Sequence, residues 1–311
     1  MYTTEGKIFT MRPAEEVINY IRSNEYKILK TSPRELNITE KDTKFFIQTN
    51  NDRSKMFPLR TSFLNKLLNW HNLPGDLPSK LSQDVLVSVL NELLHSIKSK
   101  TVNIKFENNE ALTITSQLYS EITDLKVFEL IKPLGITKIS RNDFITRFYT
   151  EKKDEIDPVE GDFFGFGLNI INSETGFAAL TVQHFILRYI CSNGATAPIE
   201  KLYVKKDHYK QKPGELAAFL QQQIDFSDGS RKHLVSKIRL SSNVAAKSSR
   251  NFVTSKINYM LGGWQGNNLL TGYNWDSSLY DLFNFITDKA KKYDITKRYQ
   301  LEKLAGEIIL N

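Results

Sequence analysis

Cysteine occurs once in these 311 residues, at position 191, and histidine only five times. A single thiol excludes an internal disulfide, and without His-x-x-x-His or Cys-x-x-Cys spacing there is no structural-zinc signature. The apolar stretches are strand-sized and broken by Arg188 or by polar turns, so none reads as a membrane span. The opening MYTTEGKIFTMRP lacks the apolar middle of a signal peptide. There is no internal repeat, no low-complexity tract, and no phosphate loop, because GFGLNIINSETG lacks the Gly-Lys-Ser/Thr ending. These absences lead to the expectation of a soluble protein of the bacterial cytoplasm, with no membrane contact, no cofactor, no metal and no assigned catalytic residue.

What is present is ordinary globular composition, 40% hydrophobic and 25% charged, with a net charge of +7. The surplus is unevenly placed. Residues 201–260 carry Lys201, Lys205, Lys206, Lys210, Lys212, Arg231, Lys232, Lys237, Arg239, Lys247, Arg250 and Lys256 against Asp207, Glu215, Asp225 and Asp228. If these cations share a surface, its field favours a polyanion.

Apolar spacing of three and four residues predicts helices in RPAEEVINYIRSN, SFLNKLLNWHNL and SQDVLVSVLNELLHSIKSK. The expected fold class is therefore α+β: a helical N-terminal part, then an antiparallel sheet with a hairpin at 163–182, with C-terminal helices packed on it. Residues 1–150 read as a mainly helical region with a hairpin near 101–119, where TVNIKFENNEALTITSQLY alternates around Asn108 and Asn109. The charged EKKDEIDPVEGD (151–162), with Pro158 and Gly161, reads as a linker or excursion loop, and 163–311 as an α+β core, either separate or continuous with the N-terminal part. NSETG (172–176) turns the hairpin between FFGFGLNII and FAALTV. Gly165 and Gly167 fall on one strand face, where small residues permit close approach by a backbone or ligand, or mark a bulge.

Cys191 has Arg188 and His184 upstream, the ingredients of an activated thiol, yet Ile186, Leu187 and Ile190 suit a packed one. Glu174 and the acids of 151–162 invite a metal reading, but a local acidic run is more often a solvated face. His208 lies in YVKKDHYKQKPGE, where lysines alternate with tyrosines as on a phosphate-tracking, base-stacking surface or on a protected strand edge. Tyr259, Trp264, Tyr273 and Trp275 are platforms if exposed and core if buried. Ser241, Ser242, Ser248 and Ser249 beside Arg239, Lys247 and Arg250 offer donors for phosphate oxygens.

Several blocks together resemble a family carried by phages and plasmids, the domain of unknown function 932 proteins. They are FPLRTSFLNKLLNWHNLPGDLPSKL, then NSETGFAALTVQHFILRYICSNG with Arg188, Cys191, Asn193 and Gly194, a following His208, and the closing YDLFNFIT and RYQLEKLAGEII. The resemblance implies a mobile-element origin, one compact α+β body and company with replication and recombination genes, but no established activity. The resulting expectation is a non-catalytic protein that binds nucleic acid, single-stranded DNA first, and assists annealing, recombination or replication, possible as a homo-oligomer. Its contacts would be Lys205, Lys206, His208, Lys210, Lys212, Arg231, Lys232, Arg239, Lys247, Arg250, Lys256, Tyr259 and Trp264. The rivals are an enzyme acting on nucleic acid or nucleotides through Cys191, His184 or His208, and an interaction protein whose basic face meets an acidic partner.

Overall fold

The computed structural model describes the backbone of residues 3–50, 52–159, 162–188, 195–212, 214–293 and 295–310. Of these it describes the side chains of all but 52–53, 151–159, 162–164, 186–188, 195–203, 227–232, 295–296, 299 and 310. The chain opens on a strand. β1 (Phe9–Pro13) leads into α1 (Ala14–Ser23), and β2 (Tyr26–Thr31), β3 (Leu36–Lys41), β4 (Lys44–Thr49) and β5 (Asp52–Pro58) precede α2 (Thr61–Trp70) and α3 (Gln83–His95). Next come β6 (Val102–Glu107), β7 (Glu110–Ser116), α4 (Asp124–Ile131) and β8 (Ile136–Arg141). The long strands β9 (Thr146–Val159), β10 (Asp162–Asn172), β11 (Leu180–Arg188) and β12 (Ala195–Lys206) follow. The remainder is helical: α5 (Glu215–Ser241), α6 (Arg250–Leu261), α7 (Gly263–Leu270), α8 (Leu279–Ala290) and α9 (Ile295–Leu310).

The expected helical N-terminal part is thus corrected. Strands dominate the first 150 residues, three antiparallel sheets organise the chain, and the helices lie mainly at the C-terminal end. Segments such as YKILKT, LNITEK and KFFIQT hold only two or three apolar positions each, set among charged and polar residues. Their period is overshadowed by the longer stripes of α2 and α3, so sheet pairing rather than local pattern identifies them. The linker reading of 151–162 fails too. Residues 151–159 continue β9 and pair with β10, Glu151 opposite Gly167 and Lys153 opposite Gly165. Since β1, β8 and β9 join β10, β11 and β12 in one six-stranded sheet, no domain boundary falls at 150.

Local chemistry explains the turns. Asn108 and Asn109 have φ of 52° and 63°, the left-handed pair that closes the two-residue hairpin between β6 and β7. Around NSETG, β10 and β11 pair antiparallel with Leu168 opposite His184 and Ile171 opposite Thr181. Gly176 takes φ 77° there, and a Cβ on it would lie 2.8 Å from Lys66 Nζ.

Gly167 answers the question of close approach. It sits opposite Phe185, and a Cβ there would fall 2.2 Å from that ring's Cζ and 2.3 Å from the carbonyl oxygen of Thr150. The carbonyl belongs to the neighbouring strand of the sheet and cannot yield without disturbing it. Gly167→Ala is therefore expected to destabilise the fold by about 1–3 kcal/mol, as overpacking does. A urea midpoint equal to the wild type's would show that the sheet has room there.

Three apolar cores follow from this order. α2 and α3 bury Phe63, Leu67, Leu86 and Leu90 against the sheets β2-β6-β7 and β3-β4-β5. α1, α4 and the first half of α5 pack Ile18, Val127 and Leu220 on Phe148, Ile170 and Val182 of the six-stranded sheet. The end of α5 joins α6, α7, α8 and α9 around Ile238, Ile257, Phe283 and Leu304. The C-terminal helices are consequently not all laid on the sheet, because most of them close a core of their own.

Between the first two cores lies a buried polar junction. Arg60, just before α2, donates from Nη1 to Glu107 and to Asp143 Oδ1 (3.0 Å) and from Nε to Glu110 (2.7 Å). Arg141 Nη2 donates to the other oxygen of Glu107 at 2.7 Å, and Tyr26 adds its hydroxyl at 2.7 Å. The NSETG corner is wired into the same region. Glu174 accepts from Lys105 Nζ (2.6 Å) and from the amide of Asp124 (2.5 Å), and Asn172 Nδ2 reaches Asp124 Oδ1 at 2.8 Å. Glu174 is thus committed to structure, and no metal-binding cluster of three His, Cys, Asp or Glu exists among the described residues.

Candidate nucleic-acid interface

The basic segment is parted by the helix it contains. α5 runs unbroken for 27 residues, about 40 Å at 1.5 Å per residue. Its Leu216, Leu220 and Ile224 belong to the sheet core and its Leu234 and Ile238 to the helical core. Lys205, Lys206, His208, Lys210 and Lys212 precede it, whereas Arg239, Lys247, Arg250, Lys256, Tyr259 and Trp264 lie at or beyond its far end. The single shared surface expected from the sequence is therefore two separate groups. Arg231 and Lys232 stand on α5, but their side chains lie outside the described residues, as does Cys191 altogether.

The second group is the more coherent. From Gly229 to Trp275 the chain holds Arg231, Lys232, Lys237, Arg239, Lys247, Arg250 and Lys256 and not one Asp or Glu. This longer acid-free run is the signal that a count over 201–260 blurred. On α6, Val253, Ile257 and Leu261 recur every four residues and fix the buried face. That leaves Phe252, Lys256 and Tyr259 along the opposite side, with Lys256 Nζ 5.7 Å from the Phe252 ring. Tyr259 is 90% exposed and Trp264, opening α7, 78% exposed. With Phe252 at 44%, three large rings on these two helices face solvent.

The neighbouring aromatics behave differently. Tyr273 and Trp275 pack against the helical core, their rings 5.3 Å apart and edge to face, and Arg250 lies 5.5 Å over Trp275. Arg250 also lines a polar groove of about 470 Å³ with Asn251, Asn258, Asn267 and Thr271. Gly266 lets α7 close on α6 there, because a Cβ would meet Asn258. Lys247 lies 3.7 Å from Asp276, an exposed pair of little strength. The serines do not serve as expected. Ser241, Ser242 and Ser248 donate to the carbonyls of Ile238, Arg239 and Ala245, so their protons point back into their own turns.

Of the first group, His208 lines a cleft, and Lys205, Lys206, Lys210 and Lys212 are not among its lining residues. His208 is no surface stacking residue. It is 4% exposed, its ring lies 4.9 Å from that of Tyr119 and nearly parallel, and Nδ1 meets the Ser120 carbonyl oxygen at 2.9 Å. Burial lowers its pKa below the usual histidine value. Lys205, Lys210 and Lys212 are exposed, and Lys206 lies 3.7 Å from Glu215. The cleft, of about 920 Å³, takes Lys66 and His71 from α2 and its end, Lys98 from the loop after α3, Tyr119, the Gly176 turn and residues 207–209. Lys66, His71 and Lys98 were missed in the sequence because nothing local distinguishes them.

For the enzyme rival, His184 is buried on β11 with the Phe226 ring edge-on at 6.3 Å, and burial pushes its pKa down to about 4. Burial holds it neutral, and no carboxylate pairs with it among the described residues. No helix among the described residues is long and apolar enough to cross a membrane. Comparison with protein-family models, with curated proteins and with solved structures returns no match.

Proposed function

We propose that the protein binds single-stranded DNA, without catalysis, through the outer face of α6 and α7, and so assists annealing, recombination or replication of a phage or plasmid in the bacterial cytoplasm. The mobile-element part rests on the blocks quoted from the sequence. The observation that carries the binding is the pair of bared rings, Tyr259 and Trp264, in a stretch with cations and no acid. Every base has a flat face to stack, and cations beside the rings hold the phosphates between stacked bases. The polar groove beneath Arg250 adds donors without demanding a sequence.

Fluorescence anisotropy with a labelled oligothymidine tests this. Tyr259→Ala and Trp264→Ala are each expected to weaken binding by roughly 1–3 kcal/mol. If Lys247, Arg250 and Lys256 each neutralise one phosphate, log K against log salt has a slope of about −2, since each phosphate on a single strand contributes about −0.7. Lys256→Glu should flatten that slope, and duplex of the same length should compete poorly. Unaltered affinity in both ring variants removes α6 and α7 from the interface. Capture of an acidic protein that DNA does not displace would replace this reading with the interaction-protein one.

A further inference from the structure

The cleft around Lys66 carries features that folding alone does not require. The Lys66 ammonium is half-buried, and desolvation lowers its pKa. It donates to the Gly176 carbonyl oxygen at 2.5 Å and faces the Phe177 ring at 5.1 Å. No carboxylate lies within 4 Å of it among the described residues. A cation withdrawn from water without an anion is costly, and a ligand can supply the missing charge. Two imidazoles line the same cleft, and the Nε2 atoms of both His71 and His208 are buried with no hydrogen-bond partner among the described residues. With Nδ1 of His208 occupied by Ser120, Nε2 is its remaining polar atom. Lys98 stands exposed on the wall, and Asp207 is the one acid lining it among the described residues.

The size narrows the ligand. About 920 Å³ is near the top of the range for small-molecule sites, and a lone phosphate would leave most of it empty. Tyr209, 54% exposed on the wall, offers a flat face with Lys210 Nζ 5.2 Å from its ring. The geometry points to a nucleotide site: a phosphate monoester held by Lys66, His71 and His208, with Lys98 at its side and the base against Tyr209. The ligand is either a free nucleotide or the phosphorylated end of a strand. The site shares no residue with α6 and α7 and stands whether or not that face takes DNA.

The test follows the imidazole carbon-bound protons by NMR in the full chain, with AMP, inorganic phosphate and adenosine as probes. AMP should shift the His71 and His208 signals and raise the pH midpoint of His208, phosphate should do so more weakly, and adenosine should not. Lys66→Met should weaken AMP binding at least tenfold, about the loss of one charge-assisted hydrogen bond. Should that variant fail to fold, Lys98→Glu, on an exposed side chain, should weaken it too. Lys256→Glu should leave it unchanged. A 5′-phosphorylated oligothymidine binding more tightly than AMP, and losing that advantage without its phosphate, identifies the strand end as the source; AMP binding as tightly identifies the free nucleotide. Unmoved imidazole signals at millimolar AMP, equal binding of adenosine and AMP, or full affinity in both lysine variants would overturn the site.

Discussion

Glu107→Gln costs about 3–5 kcal/mol of folding stability, although it preserves the side chain's volume. The carboxylate is fully buried and shared between two guanidinium groups, Arg60 on one oxygen and Arg141 on the other. Burial alone would push its pKa up. The charges of Arg141 and Arg60, with hydrogen bonds from Tyr26 and Arg60, outweigh that and hold it at about 2, against an ordinary 4.5. Because the folded pKa is depressed, the contribution is complete above pH 4.5 and lost as the pH falls through about 2; the difference corresponds to about 3 kcal/mol. Glu107→Ala would add a cavity to the same loss. A urea titration at pH 7 distinguishes the causes. If Gln is near neutral and only Ala destabilises, packing rather than charge holds the junction together.

His184→Phe should make the protein more resistant to mild acid. In the unfolded chain the imidazole takes a proton near pH 6.5, whereas in the fold burial delays it to about 4. Between those values the unfolded state binds more protons, so stability falls as the pH falls, by about 3 kcal/mol across the window. His208, also lowered by burial, acts in the same direction, while Asp124, Glu121 and Glu302, raised by burial, act against it. The whole-chain profile therefore mixes opposing contributions, and the difference between wild type and variant isolates this one. The fall in denaturant midpoint from pH 7 to pH 4.5 should be smaller in the variant than in the wild type. Parallel profiles would mean that His184 is not held neutral.

What could be read from the sequence depended on how local the cause was. The β6–β7 hairpin was legible because Asn108 and Asn109 are the residues a left-handed turn favours. The stripes of α1, α2 and α3 were legible because their apolar period persists over about three turns. The strands β2 to β5 were not: each is six or seven residues long, and sheet partners settle their state. Charge misled at 151–159, where residues suited to a solvated loop instead extend β9. The ring platforms were named from the sequence, but which of four aromatics would face water depended on the helical packing that half-buries Tyr273 and Trp275 and leaves Tyr259 and Trp264 bare. The cleft was invisible for a plainer reason. Lys66, Lys98, Tyr119, Gly176 and His208 come from five segments that only the tertiary fold assembles. The same holds for Arg60 and Glu107, 47 positions apart, and Arg60 and Asp143, 83 apart.

Photocross-linking with a 5-iododeoxyuridine oligonucleotide, followed by mass spectrometry of the attached peptides, locates the strand without relying on any substitution. Adducts at Tyr259, Trp264 or Phe252, competed by unlabelled single strand and suppressed by salt, are the expected result. A strand that binds yet cross-links only outside α6 and α7, or no binding at low salt, would contradict the proposed interface.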